Sequence, residues 1–255
     1  MKIKVLGSSG AELPGHRPPS YLLNGKILFD AGSLTNILPT KDLLKIEHIF
    51  ITHTHLDHIM GIPFLADNLM FSKRRHKTKI IGIPPVIEAI RRSVLDGSIW
   101  PDFTAIPNTH EAILELKELE AGQSIKIGVY TITPYEVNHP VPAAGYLVED
   151  GRGRRFFYTG DTGPTDATWE QIGGKQIHCL IIDVSFPNRM EEFAIKTGHL
   201  TPQLLKKEIL KIKSLPEKIY ITHPKPQYLK TIKTQLQHLK LRNVGLLRNG
   251  STVIV

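Results

Sequence analysis

The chain has 255 residues, 41% of them hydrophobic and 22% charged, with one cysteine and a formal net charge of +8. That is enough apolar material for a substantial core, while the single thiol excludes a disulfide-stapled scaffold. No apolar run is long enough to span a bilayer, and the positive surplus favours anionic ligands by raising their local concentration.

In chain order, Met1 to Gly7 reads as a short strand closed by a Gly/Ser turn, unlike the apolar stretch of a secretory leader. A cytoplasmic location is the expectation. Glu47 to Thr52 is the next clear β run, and it opens into His53-Thr54-His55-Leu56-Asp57-His58. His53 and His55 leave the strand two residues apart, so they project from the same side. Asp57 and His58 follow as the chain turns. One loop therefore offers two imidazoles to one ion, and a carboxylate with an imidazole to a second. The basic run Lys73-Arg74-Arg75-His76-Lys77 reads as a solvated loop in preference to a nucleic-acid contact. Lys79 to Ile81 is a strand, and a short helix is expected over Pro85 to Leu95.

Ile125 to Val137 reads as one long strand ending at Asn138-His139-Pro140. Arg154 to Tyr158 is another, running into Thr159-Gly160-Asp161-Thr162-Gly163. In both, a β run delivers a ligand-capable residue to a Gly- or Pro-containing turn. His178 to Val184 is an apolar strand carrying Cys179, read as a buried thiol with no part in chemistry. Thr201 can cap a helix with Pro202 in its first turn and Leu205, Ile209 and Ile212 on one face. Just before it stands His199, in Thr197-Gly198-His199-Leu200. Lys218 to Ile221 is a strand ending in Thr222-His223-Pro224, and a last helix starts near Pro226 with Leu229, Ile232, Leu236 and Leu239 as its stripe.

The stretch Ile46 to His53 echoes Pro216 to His223, a strand followed by Thr-His in both places. Ligand candidates spread from His53 to His223 with no linker between them, so residues 1–255 are read as a single domain. Many short β runs with a few amphipathic helices argue for mixed α/β layers.

These motifs, in this order, resemble the metallo-β-lactamase superfamily: H-x-H-x-D-H, a later His, a later Asp and a final His. The resemblance implies a four-layer αββα sandwich with its site at one edge, between two sheets. It further implies His53, His55 and His139 as ligands of one metal, Asp57, His58 and His223 as ligands of a second, and Asp161 as the carboxylate bridging both. The cofactor is then two divalent ions, zinc first, with manganese or iron(II) also accepting this donor set. His55 stands where redox di-iron members carry a carboxylate, and so argues against that chemistry.

Two metals a few ångströms apart lower the pKa of a shared water towards neutrality, so that a bridging hydroxide can attack a phosphodiester. Hydrolysis also needs a proton for the departing alkoxide. His199 is the candidate donor, or an electrophile stabilising phosphoryl charge. A histidine that only caps the turn is its alternative. Together with Asp57 it is the expected catalytic pair.

Gly198-His199-Leu200-Thr201-Pro202, Thr222-His223-Pro224-Lys225-Pro226 and Ile99-Trp100-Pro101-Asp102 resemble the class II 3′,5′-cyclic-nucleotide phosphodiesterases. The resemblance implies hydrolysis of cyclic AMP or cyclic GMP to 5′-nucleotides, a small anionic partner, and no membrane. Trp100 or Phe103 would face a purine, or else form aromatic core under a long loop. Lys225 would meet a phosphate or sit in solvent.

The alternatives are a tRNase Z-like enzyme acting on RNA, another phosphodiesterase, thioester or lactam hydrolase of the same fold, and a non-catalytic nucleotide-binding module. Oligomeric state is open between monomer and homodimer.

Overall fold

The computed structural model describes residues 1–72 and 77–255. Most of the basic run at 73–77 thus lies outside the described residues; Lys77 donates to the Thr109 carbonyl at 2.9 Å.

The first half contributes strands β1 (Lys2–Gly7), β2 (Ser20–Leu23), β3 (Ile27–Phe29), β4 (His48–Phe50), β5 (Thr78–Gly82) and β6 (Leu114–Glu118). The second contributes β7 (Ile125–Ile127), β8 (Tyr130–Glu136), β9 (Ala144–Glu149), β10 (Arg155–Tyr158), β11 (Cys179–Asp183), β12 (Lys218–Thr222) and β13 (Val244–Leu246), before β14 (Thr252–Ile254) returns to pair with β1. Among the described residues these form two sheets, ordered β14-β1-β2-β3-β4-β5-β6 and β13-β12-β11-β10-β9-β8-β7. Helices α1 (Thr40–Leu43), α2 (Leu56–Ile59), α3 (Gly61–Met70) and α4 (Pro84–Ser93) belong to the first half, and α5 (Ala167–Ile172), α6 (Glu191–Lys196), α7 (Pro202–Lys211) and α8 (Leu229–His238) to the second.

The period-2 alternation of each strand builds the layers. In β4, Ile49 joins Ile62 and Leu65 of α3 and Ile87 and Ile90 of α4 in an outer core. Its neighbour Phe50 turns the other way, into the space between the sheets, with Phe29, Tyr146, Phe156 and Ile181. In β11, Ile181 and Cys179 face that same central core, while Leu180 and Ile182 pack with Leu205 and Ile209 of α7 and Ile232 of α8. The fold is therefore helix, sheet, sheet, helix. Phe50 stacks on Phe29 at 5.5 Å and meets Tyr146 edge-on at 5.3 Å. Each such buried ring contributes about 1.5–3 kcal/mol over exposure.

The two strands with the Thr-His echo occupy matching places. β4 lies between β3 and β5 with both pairings parallel, and β12 lies likewise between β11 and β13.

The single strand expected over Ile125 to Val137 is a hairpin instead. Ile127 pairs with Tyr130 across the two-residue turn Gly128-Val129, and Gly128 has φ +57. A two-residue hairpin turn demands such a left-handed residue, which glycine supplies without steric cost. Other boundaries shift little: the helix expected over Pro85 to Leu95 is α4, and the one near Pro226 begins as a 3₁₀ turn, Pro226–Tyr228, before α8. Among the described residues no helix is long and apolar enough to cross a membrane.

Candidate metal centre

The strands that matter point their C-terminal ends at one edge, where open α/β sheets place their ligands. β4 leads into His53 and His55, β8 into His139, β10 into Asp161 and β12 into His223. His55 is the N-cap residue of α2, which then presents Asp57 in its first turn and His58 in its last. All seven side chains converge. His53, His55, His139 and Asp161 each offer a ligand atom within 4.8 Å of the others, and so do Asp57, His58 and His223.

Asp161 lies between the two groups. Its Oδ2 is 3.7 Å from His53 Nε2 and 3.3 Å from His223 Nε2, and its Oδ1 is 3.5 Å from His58 Nε2. Asp57 Oδ2 is 3.2 Å from His223 Nε2 and 3.9 Å from His58 Nε2. On the other side, His55 Nδ1 lies 3.1 Å from His53 Nε2 and 3.3 Å from His139 Nε2.

The protein surrounding this cluster fixes how the rings face. His58 Nδ1–H donates to Asp30 Oδ2 at 2.8 Å, and that carboxylate also accepts from the Tyr158 hydroxyl at 2.6 Å and the Thr52 N–H at 2.8 Å. His139 Nδ1–H donates to the Gly198 carbonyl at 3.0 Å. Ser185 Oγ donates to Asp183 Oδ1 at 2.5 Å and lies 2.8 Å from His223 Nδ1, from which it accepts. Committing Nδ1 outward in this way aims Nε2 at the centre. His223 (φ +61) and Asp30 (φ +54) also hold left-handed backbone, which costs an ordinary residue free energy and clusters at functional sites.

The charge states of the three imidazoles at one end of the cluster suit a cation. Burial pulls the pKa of His53 well below its ordinary value, helped by the neighbouring imidazole of His58, and burial likewise lowers His55 and His139. These rings are thus neutral, the form that binds metal. Burial pushes the Asp161 carboxyl up, but the imidazoles of His223 and His58 outweigh it and hold the group well below the usual carboxylate range. For His58 burial opposes protonation, yet Asp161 and Asp30 raise its pKa well above normal. Among the described residues, His58 Nε2 and Asp161 Oδ1 are buried and find no hydrogen-bond partner. At 3.5 Å they face each other too far apart for a good hydrogen bond. Two unpartnered ligand atoms facing a common space are what a cation would satisfy.

His199 stands beside the cluster, its ring 5.4 Å from that of His139 and 5.3 Å from that of His223. Its Nδ1–H donates to Asp183 Oδ2 at 2.7 Å. Burial disfavours its charged form, but Asp183 outweighs this and raises the pKa. Asp183 also lies in a possible ligand group with Asp161, His199 and His223. Since its two oxygens are taken by His199 and Ser185, it acts as their anchor.

Asp30, Asp183 and Ser185 escaped sequence reasoning. A signal existed for the carboxylates, because each closes an apolar strand, Ile27-Leu28-Phe29-Asp30 and Cys179-Leu180-Ile181-Ile182-Asp183. Phe103 is 4% exposed and packed in the first outer core, so it does not face a ligand. Trp100 packs partly buried against that core, edge to face with Phe64 at 5.5 Å. Lys225 Nζ donates to the Gly10 carbonyl at 2.6 Å, tying the loop after β1 to the His223 turn.

Fold and site together define a protein of the metallo-β-lactamase type. The chain belongs to the beta-lactamase superfamily, whose domain matches residues 26–223. It is 27% identical over 209 residues to a probable 3′,5′-cyclic-nucleotide phosphodiesterase of Yersinia pestis, a match covering 72% of this chain but only 58% of that protein. It is 23% identical to the ribonuclease Z of Archaeoglobus fulgidus, covering 94% of this chain and 92% of that one. Among solved structures, unliganded yeast PDE1 superposes with a TM-score of 0.86 at 18% identity, over 100% of this chain and 99% of that one.

Proposed function

We propose that this chain is a dinuclear-metal phosphodiesterase that hydrolyses 3′,5′-cyclic nucleotides. His53, His55 and His139 would hold one ion, Asp57, His58 and His223 the other, and Asp161 both. Zinc suits these donors best, with manganese or iron(II) as alternatives. When bound, such a pair of ions supplies an acidified water as nucleophile and offsets charge on the non-bridging oxygens of a phosphodiester.

The chain's own groups do the rest. Asp57 is the more accessible carboxylate, with 28% side-chain exposure against 3% for Asp161, and so it meets the incoming water and ester. His199, its Nδ1–H fixed on Asp183, presents the opposite nitrogen as the donor of a proton to the departing sugar oxygen. The observation that carries the reading is this oriented imidazole, 5.3–5.4 Å ring to ring from two candidate ligands. A thioester hydrolase would need only the activated water, because a thiolate departs without a proton. A phosphodiester with an alkoxide leaving group also needs the donor.

The relative from Yersinia pestis supports the cyclic substrate. The ribonuclease Z likeness across nearly the whole chain supports a second reading, cleavage of RNA by the same groups. The test is hydrolysis of cyclic AMP, cyclic GMP, a precursor tRNA and bis-p-nitrophenyl phosphate by metal-reconstituted protein. Cyclic-nucleotide turnover that is lost in Asp57→Ala is the expected result. Cleavage of the tRNA and the aryl ester alone would replace it with the RNA reading, and no cleavage of any diester would refute both.

A further inference from the structure

The mechanism leaves unused a run of rings that starts at His199 and ends in solvent. Phe186, 7% exposed, packs edge-on to His199 with centroids 5.6 Å apart. Against Phe186 stands Phe193 of α6, at 5.2 Å and an interplanar angle of 88°. Tyr228 borders Phe186 at 6.3 Å, and the Arg189 guanidinium lies over the Tyr228 ring at 5.4 Å. Phe193 is 48% exposed. A lone exposed phenylalanine needs no explanation, but this one is buttressed by a buried ring that touches the candidate proton donor.

We propose that Phe193, backed by Phe186 and flanked by Tyr228 and Arg189, is a stacking subsite for the nucleobase of the substrate. A nucleotide has an anionic ester at one end and a flat π face at the other, complementary in chemistry to the metal cluster and to this wall respectively. Base–aromatic stacking tolerates any base, and the N–H fork of Arg189 matches the O6/N7 acceptor edge of guanine. Phe64 of α3 is also 48% exposed. Its neighbour Trp100, however, leads into the first outer core and away from His199.

The subsite rests on the phosphodiesterase reading but is indifferent to whether the nucleotide is cyclic or part of an RNA. Equilibrium binding therefore tests it apart from turnover. We would compare 5′-GMP and 5′-AMP with ribose 5-phosphate on the metal-loaded protein by calorimetry. The wild type is expected to prefer the nucleotides by about tenfold or more, the usual size of one base–aromatic stack. Phe193→Ala should shrink that preference to about threefold or less, Phe193→Trp should retain it, and Phe64→Ala should retain it too. Equal binding of nucleotide and sugar phosphate by the wild type would overturn the subsite even if diesters are hydrolysed. So would a preference that survives Phe193→Ala or disappears in Phe64→Ala. Failure to cleave any diester, with the base preference intact, would instead count against the catalytic reading alone.

Discussion

At the residue scale two carboxylates, Asp161 and Asp183, have different duties. Asp161 faces both halves of the cluster and, among the described residues, has a buried oxygen with no hydrogen-bond partner. Asp161→Ala should therefore lose bound metal as well as activity, and elemental analysis that finds full metal content in this variant would remove its bridging role. Asp183 touches no water or substrate in the proposed reaction and works through His199, to which it is bonded at 2.7 Å. His199→Ala should slow cyclic nucleotides by about 10²–10⁴-fold, the range of a lost general acid. It should slow bis-p-nitrophenyl phosphate much less, since that leaving group departs unprotonated. Asp183→Asn should show the same substrate dependence at smaller size. Equal losses on both esters would mean that His199 stabilises charge and donates no proton.

The two duties were unequally legible in the sequence. The residues of His53-Thr54-His55-Leu56-Asp57-His58 announce themselves, because so many ligand-capable side chains seldom crowd one loop. His139, Asp161 and His223 follow from their places just past strands. Asp30 and Asp183 sit in equivalent places, yet an isolated acid at the end of an apolar run looks the same whether it anchors a histidine or merely ends a strand. Only the fold shows that Asp30 meets His58 and Asp183 meets His199.

At the scale of elements, the turns matter more than the strands. Gly198 has φ +67, and a methyl group there would lie 2.5 Å from Pro140 Cδ and 2.8 Å from His139 Nδ1. The same glycine's carbonyl accepts from His139. Gly198→Ala should thus cost about 1–2 kcal/mol from backbone strain alone and, by displacing His139, weaken metal affinity. A urea midpoint and a metal affinity both matching wild type would contradict this. Where a strand would end was readable from composition. That Gly128 turns Ile125 to Val137 into a hairpin was not, because isoleucine, tyrosine and threonine on either side favour β structure whether or not the chain reverses between them.

On the scale of the whole molecule, alternation within a strand tells which residues share a face, but not which strand lies beside it. The layered architecture was accessible on that basis, whereas the strand order and the return of β14 to the first sheet depend on long-range pairing. The central core between the sheets makes one global property testable. Cys179 is fully buried there, and burial pushes its thiol from an ordinary 9.0 up to about 12. The folded thiol stays neutral while the unfolded one ionises above pH 9. Its contribution is therefore complete below that pH and is lost as pH rises towards 12. At about 1.4 kcal/mol per pH unit, the wild type should lose about 2 kcal/mol more than Cys179→Ala between pH 8 and pH 10.5 in urea unfolding. Parallel losses in the two proteins would show that the thiol titrates alike in both states.

The most direct test of the central claim is a titration of metal-free protein with zinc, following bound metal and bis-p-nitrophenyl phosphate hydrolysis in one experiment. Two ions should bind per chain, with hydrolysis rising only as the second site fills, and Asp161→Ala should have a lower capacity. Saturation at one ion, or hydrolysis that ignores added metal, would contradict it.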